Sequence, residues 1–433
     1  MKISKSKRKV EKKVLIIGGS LAGFQLASDL VKLGIKPVIV EAKNSIEEVI
    51  AGLRSEHLFD KEVDRILDGT KGIIEKNRIE LNLSTRIRDV RGQIGDFMIS
   101  LVKEKKQDID IFVPVVIIAS NPFRVFCKED YDLDLTNNIL SLAKLEKLVE
   151  SNDKGLKRLL TPNAKKEKKS IAFIINHSDK ITKISSISAL KQALYLKEEI
   201  DSKIYIFYQD IQVSGEGLEA LYKQAREEGI LFFRYHGEQP PKVNYEEGLI
   251  NILYNDLYLD NVSLDINCDL LVLDDEISVL DSNTELNLFN INKDAKGFLQ
   301  KENIRLQPSM SNRPGIYVIG GGRGASTNDA KEIIDEAKAV ALQVYSLLSK
   351  GEFLTEKVLD INPEKCVLCL TCIRTCPHKA ISVGYYKAQD KRVAEVDHFA
   401  CQKCGVCAAE CPDKAIQLLS YADERILEEV GAR

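Results

Sequence analysis

The strongest constraint on this chain is a cysteine pattern that occurs twice. The pattern C-x-x-C-x-x-C-x-x-x-C-P is found at Cys366, Cys369, Cys372, Cys376 and Pro377, and again at Cys401, Cys404, Cys407, Cys411 and Pro412. Three closely spaced thiolates on a loop can bind three irons of a cubane, and in this double motif the fourth ligand comes from the other repeat. The pattern therefore predicts two 4Fe-4S clusters. One is held by Cys366, Cys369, Cys372 and Cys411, and the other by Cys401, Cys404, Cys407 and Cys376.

Two other uses of cysteine are less consistent with this spacing. Zinc sites take four ligands in two C-x-x-C pairs, whereas each repeat here has three spaced cysteines, a fourth and a proline. A disulfide framework suits an oxidising compartment, but eight of the ten cysteines belong to the cluster motifs. This usage is typical of the reducing cytoplasm, where we expect the protein to be located.

Composition excludes several classes of function. The formal net charge is −3, so no global positive field attracts nucleic acid, and the lysine runs lack interleaved aromatic residues. No apolar stretch approaches the ~20 residues of a membrane span. The first thirteen residues contain seven Lys or Arg, and we expect a frayed, solvated tail there. The five histidines are scattered without metal-ligand spacing, and no nucleophile motif indicates a catalytic residue.

A nucleotide fingerprint lies near the start of the chain. The apolar run 14–17 is followed by Gly18, Gly19, Ser20 and Gly23, then by a helical pattern and a second apolar run that ends before Glu41. In such a βαβ unit, Gly18 permits the tight turn, Gly23 allows close packing, and Glu41 accepts hydrogen bonds from a ribose. Ser20 replaces the middle glycine. A bare strand-to-helix turn that binds nothing is the alternative.

A second α/β unit interrupts the first. Apolar runs at 171–175 and 204–208 flank an amphipathic helix at about 187–200, and 270–273 closes the unit. The turn after its first strand begins at Asn176 and His177 and has no glycine through Lys180. A nicotinamide site is therefore not expected in this unit.

The chain then returns to the first unit through the apolar run 315–319 and a second glycine loop, which contains Gly320, Gly321 and Arg323. This arrangement is typical of flavoproteins and predicts FAD. We divide the chain into a basic tail (1–13), an FAD-type dinucleotide-binding domain (14–136 and 279–350), a linker (137–167), an inserted α/β domain (168–278), a second linker (351–361), a two-cluster ferredoxin domain (362–421) and a C-terminal tail (422–433). The predicted fold class is α/β: a split FAD-type Rossmann-like domain with an inserted α/β domain, plus an α+β ferredoxin domain.

With these features the chain resembles the A-type subunit of heterodisulfide reductase and its relatives, which are iron-sulfur flavoproteins. Specific similar stretches are 189–194, 205–211 and 225–229 in the inserted domain, the loop 322–324 and the segment 422–427. The chain departs from the family in having no cysteine between Glu41 and Asp110, where relatives bind a further cluster. It also has Asn44-Ser45-Ile46, Ala119-Ser120-Asn121 and Asp274-Asp275-Glu276 where relatives have glycine or threonine patterns.

The resemblance implies an electron-transfer subunit of a multi-subunit anaerobic redox complex, with partners comparable to the B- and C-type subunits of heterodisulfide reductase. In this interpretation FAD, contacted by Gly18, Ser20, Gly23, Glu41, Gly320, Gly321 and Arg323, exchanges electrons with the two clusters. One alternative is an NAD(P)H-dependent flavin oxidoreductase, which the glycine-free turn disfavours. The other is a flavin-free scaffold that conducts electrons through its clusters alone, which Ser20 favours.

Overall fold

A computed structural model describes most of the chain. The described residues are 5–56, 60–76, 78–103, 108–119, 123–151, 168–177, 183–200, 202–246, 248–256, 262–278, 285–294, 298–299, 301–303, 305–323, 330–357, 359–422, 426–427 and 430–431.

The first domain begins with a βαβ unit and a three-stranded meander. Its elements are β1 (Lys5–Lys9), β2 (Lys13–Ile17), α1 (Leu21–Lys32), β3 (Lys36–Val40), α2 (Ile46–Glu56), α3 (Lys61–Glu75), β4 (Glu80–Asn82), β5 (Thr85–Gln93), β6 (Asp96–Lys103), β7 (Ile109–Val113) and β8 (Val115–Ile118). The antiparallel meander β5-β6-β7 packs on one face of the main sheet, where its apolar side chains form one core cluster with Leu15 and Ile17 of β2. The alternate residues Val14 and Ile16 face the helices.

The inserted domain follows. Its elements are β9 (Phe123–Val125), α4 (Lys128–Tyr131), β10 (Ile139–Ser141), α5 (Leu142–Glu150), β11 (Lys169–Ile175), α6 (Lys183–Glu199), β12 (Ser202–Tyr208), α7 (Leu218–Glu227), β13 (Leu231–Arg234), β14 (Lys242–Glu246), β15 (Leu249–Asp256), β16 (Val262–Cys268), β17 (Leu270–Leu273) and β18 (Glu276–Ser278). Parallel strands form a sheet in the order β10-β17-β11-β12-β13, and β14-β15-β16 form an antiparallel sheet. Strands β9 and β18 pair with each other where the chain enters and leaves this domain.

The chain completes the first domain with β19 (Lys301–Asn303), β20 (Gln307–Ser311), β21 (Ile316–Val318), α8 (Ala330–Leu348) and β22 (Glu352–Glu356). The main sheet has seven strands in the order β19-β20-β21-β8-β2-β3-β4. Strands β21, β8, β2, β3 and β4 run parallel, so their carboxyl ends meet at one edge. We call this the carboxyl edge and the opposite one the amino edge.

The cluster domain consists of β23 (Leu359–Ile361), α9 (Thr371–Thr375), β24 (Ile381–Tyr386), β25 (Lys391–Val396), α10 (Val406–Ala409) and β26 (Ile416–Leu418). Strands β23 and β26 pair, as do β24 and β25. Its small core is made largely of cysteine, alanine and isoleucine side chains. In the part of the chain that the structure describes, no helix is long and apolar enough to cross a membrane.

The predicted basic tail at 1–13 is wrong where the structure describes it. Strand β1 pairs antiparallel with β22 along its whole length. Lys7 and Lys9 are exposed, whereas Arg8 between them is only partly exposed and contacts the cluster domain. Period-two burial of this kind is what a strand produces, and pairing with a distant strand orders a segment whose charge alone suggests disorder. Residues 1–4 lie outside the described part.

Both predicted linkers also contain regular structure. In the range 137–167, β10 pairs with β17 and α5 buries Leu142, Leu145 and Val149 in the core of the inserted domain, while 152–167 lie outside the described residues. The range 351–361 contains β22 and β23, with only two residues between them. Lysines on the exposed faces obscured the apolar periodicity of α5 in the sequence.

Candidate cluster and flavin sites

The two cysteine repeats fold into loops of matching backbone conformation. Three positions of each repeat have a positive φ: Leu368, Leu370 and Lys379 in the first, and Lys403, Gly405 and Lys414 in the second. Of these residues, only Gly405 adopts the left-handed backbone conformation without steric cost. The surrounding structure therefore holds the other five residues in this conformation. We infer that both loops are shaped around the same kind of group.

The loops bring the eight thiols into two crossed sets. One cavity is lined by Cys366, Cys369, Cys372 and Cys411, and a second by Cys376, Cys401, Cys404 and Cys407. These are the two sets that the sequence predicts. Each set has two buried thiols, and one thiol of each, Cys369 and Cys404, is exposed.

The arrangement of the thiols fits a cluster better than a single metal ion. Within the described residues, which include all ten cysteines, no group of three or more His, Cys, Asp or Glu could hold one ion. In a cubane each cysteine binds a different iron, so four sulfurs can line a cavity without converging on one point. None of the ten cysteines forms a disulfide.

Backbone amides point at several of the sulfurs. Ala380 N donates to Cys376 Sγ at 3.3 Å, Ala415 N to Cys411 Sγ at 3.3 Å, and Ala394 N to Cys366 Sγ at 3.4 Å. Such bonds stabilise thiolate charge and are one determinant of a cluster's reduction potential. The first two bonds are equivalent in the two repeats, so both cross-repeat ligands have the same local support.

Burial opposes thiolate formation before metal binds. It raises the pKa of Cys407 to about 11, and it also raises the pKa values of Cys372 and Cys401. A hydrogen bond from Thr371 lowers the pKa of the exposed Cys369. Cluster assembly at these sites therefore has to displace protons from the buried thiols.

The predicted flavin residues lie at the carboxyl edge of the first domain. Gly18 has φ 104° and follows β2, and Ser20 is the N-cap of α1, where its hydroxyl accepts a hydrogen bond from Gly23 N at 3.1 Å. A Cβ at Gly23 would lie 2.4 Å from Gly18 O, so only glycine allows this close approach of helix and turn. The serine that replaces a glycine therefore caps the helix.

The acid and the second glycine loop reach the same place. Glu41 Oε2 accepts from Gly19 N at 2.6 Å and its Oε1 from Lys43 N at 2.9 Å, which fixes the carboxylate beside the first loop. Gly320 has φ 69°, and a Cβ there would lie 3.1 Å from Ala22 Cβ, so the second loop packs on the first turn of α1. The two glycine loops, a helix N-terminus and Glu41 together form a cradle that fits a dinucleotide.

The remaining residues of the second loop are only partly described. Gly321 is buried within the short 3-10 turn Gly320–Arg323. Glu336 of α8 accepts a hydrogen bond from Gly320 N at 2.9 Å and one from Ser309 at 3.0 Å, which anchors the start of this loop. The side chain of Arg323 lies outside the described part, so its predicted contact with a flavin stays a prediction.

Sequence reasoning missed a buried polar cluster in the inserted domain. At the carboxyl end of β11, Asn176 N donates to Asp274 Oδ2 at 2.8 Å, and Ser185 donates to Asp274 Oδ1 at 2.7 Å. Arg124 pairs with Glu146 and lies 3.7 Å from Asp275. Burial raises the pKa of Asp274 to about 6 and also raises the pKa of Glu146. Ligands of α/β sheets bind outside the carboxyl ends of the strands, and here the buried carboxylate of Asp274 lies at the carboxyl end of β11.

One domain family and several known proteins are similar to this chain. Residues 356–415 match the 4Fe-4S dicluster domain family. The chain is 22% identical to the A-type subunit of the H2:CoB-CoM heterodisulfide,ferredoxin reductase of Methanothermobacter marburgensis, covering 87% of this chain and 70% of the relative. It is 25% identical to the A-type iron-sulfur subunit of the CoB-CoM heterodisulfide reductase of Methanocaldococcus jannaschii, covering 96% and 76%.

Solved structures support the fold of the first two domains. Thioredoxin reductase of T. acidophilum has a TM-score of 0.52 at 15% identity, covering 78% of this chain and 99% of that protein. Thioredoxin reductase of Lactococcus lactis gives 0.52 at 14%, with the same coverage. The predicted fold class is thus confirmed. Over most of its length, and in its dicluster domain, the chain is thus similar to the A-type subunits of heterodisulfide reductase.

Proposed function

We propose that this chain is an electron-transfer subunit of a larger redox complex, in which FAD and two 4Fe-4S clusters carry the electrons. The observation that carries the proposal is the pair of crossed four-thiol cavities, because two clusters in one small domain serve to conduct single electrons. The ligands of the first cluster are Cys366, Cys369, Cys372 and Cys411, and those of the second are Cys401, Cys404, Cys407 and Cys376.

FAD is the group that the cradle of the first domain suits. Gly18, Ser20 and Gly23 would face its pyrophosphate together with the N-terminus of α1, and Glu41 would accept from its ribose. Gly320, Gly321 and Arg323 would contact the flavin end. When bound, FAD supplies chemistry in both one-electron and two-electron steps.

The partners in this proposal are other redox subunits, comparable to the B- and C-type subunits of heterodisulfide reductase. The relatives are subunits of CoB-CoM heterodisulfide reductases, and this chain offers no nucleophile motif or redox-active cysteine pair outside the cluster motifs. We place the protein in the cytoplasm, because its cysteines are used for metal binding.

Two other functions make different predictions. An NAD(P)H oxidoreductase is disfavoured by the polar side chains around Asp274 at the carboxyl end of β11. A flavin-free scaffold is favoured by Ser20, because a side chain stands where other cradles have glycine.

Three measurements on protein purified without oxygen distinguish the proposal from these two alternatives. They are the visible absorbance, the iron content and the content of acid-labile sulfide. The proposal requires bound flavin and about eight irons per chain, as two cubanes hold. Clusters without bound flavin would support the flavin-free scaffold. Bleaching of the flavin absorbance by NADH or NADPH, with no other protein present, would establish the NAD(P)H oxidoreductase. Identification of co-purifying subunits tests the proposed partners, and a lone chain that reduces a small disulfide would contradict them.

A further inference from the structure

Two glutamates of α8 contact two different parts of the molecule. Glu336 accepts a hydrogen bond from Gly320 N at 2.9 Å, so it holds the start of the second glycine loop. Glu332, in the first turn of the helix, accepts from Lys183 Nζ of the inserted domain at 3.0 Å. Residues four apart lie on the same face of a helix, with about 5–6 Å between their Cβ atoms. One face of α8 therefore connects the inserted domain to the second glycine loop.

Lys183 is buried to a degree that is rare for lysine. Its side chain is 3% exposed, whereas that of Glu332 is 45% exposed. Burial of an ammonium group is costly unless an opposite charge pairs with it, and loss of one partner from a buried pair is strongly destabilising. Glu332 supplies the opposite charge from across the domain boundary. The contact between the inserted domain and the start of α8 therefore depends on this ion pair.

The inserted domain holds Lys183 in a fixed position. Helix α6 begins at Lys183, and two buried serines in its first turn are hydrogen-bonded to other segments of the domain. Ser185 donates to Asp274 Oδ1 at 2.7 Å, and Ser186 Oγ accepts from Gln212 N at 3.0 Å. These bonds tie the start of α6 to the segments that follow β17 and β12. Lys183 can therefore act as an anchor for α8.

The second glycine loop depends on where α8 begins. Gly320 has φ 69°, and a Cβ there would lie 3.1 Å from Ala22 Cβ in the first turn of α1. The N–H group of Gly320 is bound by Glu336, which also accepts from Ser309 Oγ at 3.0 Å. A shift of the first turns of α8 would move this acceptor, and with it the contact between the two glycine loops.

From these contacts we infer that Lys183 is a positioning residue of the flavin site. Through Glu332 it holds the first turns of α8, and through Glu336 these turns hold the second glycine loop against α1. The inference rests on the proposed function, in which this loop contacts the flavin end of FAD and the first loop contacts its pyrophosphate. It also gives a role to the inserted domain, whose turn after β11 has no glycine from Asn176 through Lys180. That domain closes the flavin end of the cradle.

Binding of FAD and ADP to the full-length protein tests this role. Bound flavin is removed by dialysis against bromide at neutral pH, and both dissociation constants are measured by calorimetry without oxygen. ADP has the pyrophosphate and ribose but no flavin, so its affinity reports on the first loop and Glu41. In Lys183→Met and in Glu332→Gln we expect FAD to bind at least about tenfold more weakly, because each change breaks the ion pair. The affinity for ADP should stay unchanged.

A double variant shows whether the two residues act together. If Lys183 acts through Glu332, the variant with both Lys183→Met and Glu332→Gln should lose no more FAD affinity than the more affected single variant, because only one interaction is removed. Circular dichroism and iron content show that each variant is folded. If Lys183→Met does not fold, Glu332→Gln carries the comparison of FAD with ADP by itself, since its side chain is half-exposed.

Lys331→Met is the matched control. Lys331 precedes Glu332 and pairs with Glu216 of the inserted domain, so this ion pair crosses the same boundary. The two side chains are 51% and 73% exposed. Exposed pairs contribute little, so FAD affinity should stay within about twofold of the native value.

The outcomes separate this role from the proposed function. Native protein that binds no FAD would refute the proposed function, and the role of Lys183 with it. If native protein binds FAD, three results would overturn the role alone. These are equal weakening of FAD and ADP binding, an equal effect of Lys331→Met, and losses in the double variant that add up. Weaker FAD binding in Lys183→Met without any loss in Glu332→Gln would also overturn it, because the route through α8 needs both residues.

Discussion

Replacing Arg8 by Ala tests the contact that fixes the cluster domain. The guanidinium bonds to Asp397 at 2.8 Å and to Ile94 O, and lies 4.4 Å from the Phe399 ring. The Arg8 and Asp397 side chains are 26% and 20% exposed, so solvent screens the pair only in part. Hydrogen bonds to charged groups contribute about 1.5–3 kcal/mol and an exposed cation–π contact about 0.5–1 kcal/mol.

The net cost of Arg8→Ala is smaller than the sum of these contributions. Asp397 keeps hydrogen bonds from Phe399 N at 2.8 Å and Ala400 N at 3.3 Å, so its carboxylate is not left unsatisfied. We expect a loss of about 2–3 kcal/mol in the free energy of separating the cluster domain from the first domain, given that such contacts are not additive. At 1.4 kcal/mol per factor of ten, the open state becomes roughly 30- to 150-fold more populated.

Hydrogen exchange of the native protein measures this opening, because amides protected only by the docked state exchange through it. The amides of Phe399 and Ala400, which lie at this contact and donate to Asp397, should exchange faster in Arg8→Ala by up to that factor. Lys7→Ala is the matched control, since Lys7 is the adjacent residue of β1 and pairs with Glu352 at 3.3 Å while 65% exposed. Exposed pairs contribute at most about 1 kcal/mol. Equal protection in the two variants would refute the role of Arg8.

Three further predictions concern the cofactor sites and the inserted domain. Cys411→Ser should damage the cluster of Cys366, Cys369 and Cys372 and leave the other with four ligands. Iron content and low-temperature EPR of the reduced protein check this, and loss of the other cluster instead would exclude crossed ligation. Gly23→Ala should lower flavin content severalfold while iron content is kept, because its Cβ would lie 2.4 Å from Gly18 O; unchanged flavin absorbance would contradict the cradle. Because the pKa of Asp274 is raised in the folded protein, its protonated carboxyl stabilises the fold. This stabilisation is complete below about pH 4 and is lost as pH rises through about 6. In urea denaturation, the free energy of unfolding of the native protein should decrease by up to roughly 3 kcal/mol over this pH range, and Asp274→Asn should lack this decrease. Parallel pH profiles of the two proteins would contradict the prediction.

Local patterns in the sequence were enough to predict the main elements and the candidate residues of both sites. The cysteine spacing is local, and a cubane imposes so specific a geometry that it also predicts which distant cysteine joins each set. The βαβ fingerprint is equally local, because a tight turn and a close helix contact each require glycine at a defined place. The cavities and the cradle bring these residues together as the spacing predicts.

Pairing between distant segments could not be predicted in the same way. The charged segment at β1 becomes a strand only because β22 lies beside it, and α5 joins the inserted domain because β10 pairs with β17. The carboxylates at Glu146 and Asp274 look like ordinary surface charges in the sequence, and only folding buries them beside Arg124. Which edge of the sheet receives the cluster domain was likewise decided by tertiary contacts of Arg8 and Asn312, since local spacing does not determine how two finished domains pack together.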